Sequence, residues 1–408
     1  MNIFNIIAVL ITLSAIFSYV NYRYIKLPTT IGLMLFTLVM SLSIIILGKL
    51  GLAFEEQARL LVESIDFSKT LMQGMLSFLL FAGALHVNLD DLLENKWEIC
   101  VFATFGVICS TFIIGSIVYF ASHYIGFSLK FIYCLVFGAL ISPTDPIAVM
   151  GILQKAGAPK SLEVKITGES LFNDGVGVVV FIIIAGIAFA GREITVSEVS
   201  SIFMEEAVGG AIFGLIIGWV AYRILKSVNN YQVEILVTLA LVTGGYAMAT
   251  ALHLSGPIAI VISGLLIGNH GRRFAMLDTT REHLDTFWEL IDEILNAVLF
   301  VLIGLEILVL TISGQYLLAG LIAIPIALFA RLVSIGIPVS LMRTNRQFSP
   351  NAIRILTWGG LRGGISIALA LSLPAVIERE VIVMMTYSVV VFSILVQGLT
   401  IKYLVNSK

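Results

Sequence analysis

Phe131-Ile-Tyr-Cys-Leu-Val-Phe-Gly-Ala-Leu-Ile-Ser-Pro-Thr-Asp-Pro146 starts as an apolar helix and ends with an aspartate near two prolines. Carried on to residue 155, the stretch is long enough to cross a ~30 Å hydrocarbon layer. Proline lacks a backbone donor and disfavours helix in the residue before it. Ser142 and Asp145 are therefore expected to be extended, with two helical hydrogen bonds lost and carbonyls exposed beside a carboxylate. Broken backbone at membrane depth is stable only against protein or a water-filled cavity. Asp145 capping a second half-helix is one reading of the pattern. Two prolines around one aspartate favour an ion site.

The remainder of the chain has the same apolar character. Of 408 residues, 59% are hydrophobic and 12% charged, against roughly 45–50% and 25% in globular proteins. Mean hydropathy is +1.03. So little polar surface does not cover a soluble core, and the fold class is an all-α polytopic membrane protein. A net charge of −2 offers no basic face to phosphates, which excludes nucleic acid as a partner. Cys100, Cys109 and Cys134 lie in apolar runs without ligand spacing, so neither a disulfide framework nor a structural metal is expected. The first twenty residues lack a basic leader and a small-residue cleavage site, and read as a span.

Apolar runs place thirteen transmembrane helices near 3–21, 30–50, 69–88, 99–122, 130–155, 162–190, 204–226, 232–252, 255–269, 290–312, 315–341, 353–375 and 381–403. The longest connection, around 270–289, reads as a charged linker. With the N-terminus outside, sixteen Lys and Arg fall in inner loops or at the C-terminus and six in outer loops. This bias puts the C-terminus in the cytoplasm of a cell membrane. Breaks recur seven spans apart: Ser142-Pro-Thr-Asp-Pro146 in span five and Gly359-Gly-Leu-Arg-Gly-Gly364 in span twelve. An odd offset inverts the second copy, giving inverted repeats with discontinuous helices.

Once the charged residues at span ends are assigned to loops, six ionisable residues remain inside the spans: Asp145, Glu169, Asp174, Glu306, Arg331 and Arg362. Each costs roughly 2.5–3.5 kcal/mol to insert even on lenient scales. In Gly168-Glu-Ser-Leu-Phe-Asn-Asp-Gly175, Ser170 and Asp174 share one helical stripe, and Glu169 and Asn173 the next. Their oxygens are hard ligands, suited to alkali cations and protons. A polar network that only locks helices together is the structural alternative. Arg362, among glycines, is placed to meet half-helix C-termini. Glu169 is the expected partner of Arg331, with Arg362 next in line. Glu306 lies within two turns of an outer end, where it reaches water. The five histidines read as loop or interface residues.

At these motifs, together with Phe287-Trp-Glu-Leu-Ile-Asp-Glu-Ile-Leu-Asn-Ala-Val298, the sequence resembles the monovalent cation:proton antiporter-1 family, the NhaP-type sodium/proton antiporters. The resemblance implies a thirteen-helix, NhaA-type antiporter fold with crossed discontinuous helices, as a homodimer. It implies a core domain over about 69–190 and 290–403, with dimerisation helices over about 3–50 and 204–269. Asp174 is implied as the cation and proton carrier. Asp145, Ser170, Glu169 and Thr144 complete or order a site for transported Na⁺, supported by Asn173, Arg331 and Arg362. Asn173 stands where electrogenic relatives carry a second aspartate, which implies electroneutral exchange.

Desolvation favours the neutral form of a carboxylate, so a proton and a cation compete for the same oxygens. An empty, uncompensated carboxylate is penalised in crossing, which makes the exchange obligatory. The expected function is therefore elevator-like secondary antiport of Na⁺, with Li⁺ or K⁺ as alternatives, for protons. It needs no cofactor and is not an enzyme activity. A cation channel is a rival reading. An intramembrane aspartyl protease is another, but its aspartate follows the glycines of a G-x-G-D segment, whereas Asp174 precedes Gly175 and Gly177.

Overall fold

The structure, a computed structural model, describes residues 3–50, 54–126, 128–146, 150–151, 153–154, 157–190, 196–271, 278–344, 346, 348–349 and 351–406. Ile147–Val149 of the first motif, and Lys155, Arg192, Arg272, Arg273 and Lys408 of the charge bias, lie outside them. The principal helices are α1 (Ile3–Val20), α2 (Thr29–Lys49), α3 (Leu76–Leu85), α4 (Phe105–Ile125), α5 (Phe131–Ile141), α6 (Lys160–Ala190) and α7 (Gly209–Leu225). They continue as α8 (Tyr231–Ala251), α9 (Gly256–Leu266), α10 (Asp278–Glu306), α11 (Gly314–Met342), α12 (Ala352–Trp358), α13 (Gly364–Leu371) and α14 (Ile377–Phe392). No strand occurs among the described residues. Among the described residues, eight helical segments are long and apolar enough to cross a bilayer, and α5 and the segment Gly256–Gly271 are shorter apolar helices. The chain is thus a multi-pass, all-helical membrane protein.

Packing follows the rules of helices in lipid. No hydrophobic force draws helices together there, so close backbone contact at small residues does. On α7, Gly210, Gly214 and Gly218 recur at one-turn intervals and lie against Ser255, Ala259 and Ser263 at and along α9. A Cβ on Gly138 would overlap the Thr111 carbonyl, so α5 rests directly on α4. On its other side α5 meets α6, and α11 bridges α4 and α14. Between α4 and α11, Ser110 donates to Ser334 at 3.0 Å.

The supposed linker at 270–289 is largely helical, because α10 already begins at Asp278. Its charges misled the reading. Leu284 and Trp288, one turn apart and fully buried, anchor this end against Phe81, Leu85, Leu241 and Ile260. The Trp288 ring lies 4.6 Å from that of Phe81, and its Nε1 donates to Thr238 Oγ1 at 3.1 Å. Glu306 also departs from expectation. It is only 5% exposed, because the helix stops there and Tyr387 and Arg379 act on it from nearby.

Candidate functional site

The two helix breaks meet. The Asp145 N–H donates to the Leu361 carbonyl at 2.8 Å, joining the break after α5 to the break between α12 and α13. A Cβ on Gly363 would overlap the Asp145 carboxylate. Glycine there lets the N-terminus of α13 lie beside a negative charge that its dipole favours. Ser142 is not extended as expected but stays in the right-handed helical region, φ −73° and ψ −37°. Its hydroxyl donates to the Gly138 carbonyl at 2.6 Å and lies 3.3 Å from Thr111 Oγ1, holding the last turn closed up to Pro143.

From α6, two polar stripes face this crossing. The Thr144 N–H donates to Asn173 Oδ1 at 3.3 Å, and Asn173 Nδ2 donates back to Thr144 Oγ1 at 2.8 Å. Thr144 Oγ1 also lies 3.0 Å from Ser170 Oγ. Gly177 admits the Pro143 ring, which a Cβ would overlap. Asp174 is 8% exposed and forms no hydrogen bond or ion pair among the described residues. It shares a cavity of about 450 Å³ with Asp145, and the two carboxylates act on each other electrostatically.

Glu169 points elsewhere. Arg331 grips it bidentately, Nη2 donating to Oε2 at 2.9 Å and Nη1 donating to Oε1 at shorter range. The same guanidinium donates from Nε and Nη2 to the Leu356 carbonyl at 3.3 and 3.1 Å. Leu356 lies in the last turn of α12, where carbonyls have no helical partner. Arg331 therefore shares the role expected of Arg362, whose Nη1 donates to the Gly360 carbonyl just past α12 at 3.3 Å. Gln397 Nε2 completes the end of α12 by donating to the Trp358 carbonyl at 2.9 Å.

The fold thus ties Thr144, Ser170 and Asn173 together, sets Asp145 and Asp174 on one cavity, and commits Glu169 to Arg331. Three further residues line that cavity: His86, which sequence reading took for a loop or interface residue, and Glu289 and Asp292, to which it gave no role. A signal existed for the acids. Glu289, Asp292 and Asn296 recur at three- and four-residue spacing inside Phe287–Val298, a stripe down one side of α10. Among the described residues, no three His, Cys, Asp or Glu side chains form a metal-ligand group. A cation here would rely on hydroxyl and backbone oxygens as well as carboxylates.

Comparisons with known proteins agree with this architecture. The transmembrane sodium/hydrogen exchanger family model matches residues 9–407. The chain is 52% identical to the Na(+)/H(+) antiporter NhaP of Pseudomonas aeruginosa, over 98% of this chain and 96% of that protein. It is 34% identical to the Na(+)/H(+) antiporter NhaH of Halobacillus aidingensis, over 93% and 92%. Its fold superposes on the sodium proton antiporter MjNhaP1 of Methanocaldococcus jannaschii with a TM-score of 0.77 and 18% identity, covering 100% and 99% of the two chains. With two broken helices crossing beside a buried carboxylate, and sequence similarity running nearly end to end, the chain belongs to the sodium/hydrogen exchanger family.

Proposed function

We propose that this protein is a secondary antiporter that exchanges Na⁺ for protons across the cell membrane, one for one, by elevator-like alternating access. The observation that carries the reading is Asp174: a buried carboxylate without a hydrogen-bonding or ion-pairing partner among the described residues, on a cavity beside the crossing of two helix breaks. Burying a lone charge is costly unless something neutralises it. A proton or a cation meets that need, and only one of them fits at a time. The proton leaves the Asp174 carboxyl as the cation arrives, and returns as the cation departs. Asp145 and the backbone at Thr144 would complete the ligand set, with Ser170 turning its hydroxyl from Thr144 to the ion. Glu169 and Arg331 would act as positioning residues that hold α6 against α12, with Arg362 supporting the same break.

Asn173 fits electroneutral exchange. An amide releases no proton, and both ends of this one are engaged by Thr144. The fuller architecture belongs to the same proposal: thirteen transmembrane passes as inverted repeats of the NhaA type, N-terminus outside and C-terminus cytoplasmic. The core would comprise about 69–190 and 290–403. The helices near 3–50 and 204–269 would form the dimer interface of a homodimer, supported by outward apolar side chains such as Ile212, Leu215, Ile216 and Trp219. The transported ions are the substrates, and the mechanism invokes no resident cofactor.

Proteoliposomes carrying an internal pH dye test the reading. An inward Na⁺ gradient is expected to drive proton efflux, and parallel runs with Li⁺ and K⁺ rank the cations. Wild-type protein that moves no protons under any of these gradients would overturn it.

A further inference from the structure

A second cavity, of about 660 Å³, lies between α1, α2 and α10. Among the described lining residues it shares a single side chain with the Asp174 cavity, that of Asp292. Met150 and Gln154 face the first cavity and Gly151 the second, so the turn after the first helix break runs between them. Asp292 therefore stands in the partition, near enough to Asp145 for the two charges to interact.

The second cavity also holds buried oxygens that the protein leaves unused. Asn296, one turn along α10 from Asp292, is 3% exposed, and its Oδ1 accepts no hydrogen bond. Ser14 on α1 is 6% exposed, and its Oγ has no partner either. Both line this cavity, with Thr29 and Thr30 of α2 close to the same space. The side chains of Asp292 and Asn296 interact with each other. A buried, unpaired polar oxygen costs free energy comparable to a lost hydrogen bond, and the two residues that carry them line the same cavity as the Asp292 carboxylate. Carboxylate, amide and hydroxyl oxygens are hard donors that suit an alkali cation and do not suit soft metals.

We propose that Asp292, Asn296 and Ser14 form a second alkali-cation site, a staging position from which Na⁺ passes across the partition to Asp145 and Asp174. The inference rests on the antiport reading and adds to it where the cation waits. It also places the staging ligands on two sides of a moving boundary: Ser14 comes from the proposed dimerisation helices, Asp292 and Asn296 from the proposed core. Occupancy is then tied to the position of the core.

The test is ²²Na⁺ binding to the full-length protein in lipid nanodiscs at alkaline pH, in an Asp174→Asn background that removes the central carrier. That variant is expected to retain one bound Na⁺. Adding Asp292→Asn should abolish the residual binding, adding Asn296→Leu should weaken it about tenfold, and Asp292→Glu should restore it. Should Asp292→Asn not fold, the Asn296→Leu and Ser14→Ala arms decide by the same measure. An Asp174→Asn protein that holds no Na⁺ above empty nanodiscs overturns the proposal. Residual binding that ignores Asp292 and Asn296 does so too. The antiport reading fails on a different measurement, the absence of Na⁺-driven proton flux by wild-type vesicles, so the two failures are distinguishable.

Discussion

Asp174 is a buried acid with a cavity before it and, among the described residues, no hydrogen-bonding or ion-pairing partner. Glu169, its near neighbour, is held by both nitrogens of an arginine fork. The two residues therefore predict opposite phenotypes. Asp174→Asn is expected to abolish exchange while leaving the melting temperature near that of wild type, since no protein contact is lost; wild-type flux from that variant in proteoliposomes would end its assignment as carrier. Removing either Glu169 or Arg331 strands a buried charge, at a cost of about 3–5 kcal/mol. The double neutral replacement should recover part of that loss, and a double-mutant cycle by thermal denaturation measures the coupling. Strictly additive losses would show that the bidentate contact contributes no coupling of its own.

Elements here are placed by what their breaks expose. α12 ends with carbonyls that Arg331, Arg362 and Gln397 satisfy, and α13 starts beside Asp145 because Gly363 has no side chain. Gly363→Ala should push the Asp145 carboxylate from its place and lower the apparent affinity for Na⁺ about tenfold, corresponding to ~1.4 kcal/mol. A Na⁺ dependence of exchange unchanged from wild type would show that the approach has no functional weight. Gly138→Ala acts at a different level, since the added methyl meets backbone of α4 and not a movable side chain. Overpacking of that kind costs about 1–3 kcal/mol, read as a lower melting temperature in detergent or nanodiscs.

For the molecule as a whole, the testable property is net charge moved per cycle. On the proposed reading, with Asn173 bonded to Thr144 through both its amide atoms, one proton would be exchanged for one monovalent cation. Exchange in proteoliposomes should then be indifferent to an imposed membrane potential once pH is clamped. Acceleration of proton efflux by a valinomycin-set potential would reveal a second titrating acid, with Asp145 the first to examine. The α7–α9 glycine ladder and the direct contact of α5 with α4 would keep each group of helices rigid, so that movement between groups is the cheaper route for transport.

Much of this was legible from residue order. Length and apolarity determined a polytopic helical protein, because twenty apolar residues have one stable form in lipid. Two prolines around Asp145 and four glycines around Arg362 marked both breaks, because those residues alter the backbone locally. Helical spacing put Ser170 and Asp174 on one stripe and Glu169 and Asn173 on the next, whereas packing brings Ser170 and Asn173 together at Thr144 and turns Glu169 to Arg331. The pairing of Glu169 with Arg331 was expected and is found, but tertiary structure decided what spacing does not encode: that Arg331 also takes the end of α12, and that Ser142 keeps its helical turn through a hydroxyl bond. It also decided that Glu306 is buried, and that the charged stretch before residue 290 is helix. That stretch was misjudged for a physical reason. Its charged residues share a helix with the fully buried Leu284 and Trp288, and hydropathy averaged along a chain cannot separate two faces of one helix. Pairing across 162 residues and a partition between two cavities exist only once the helices have packed.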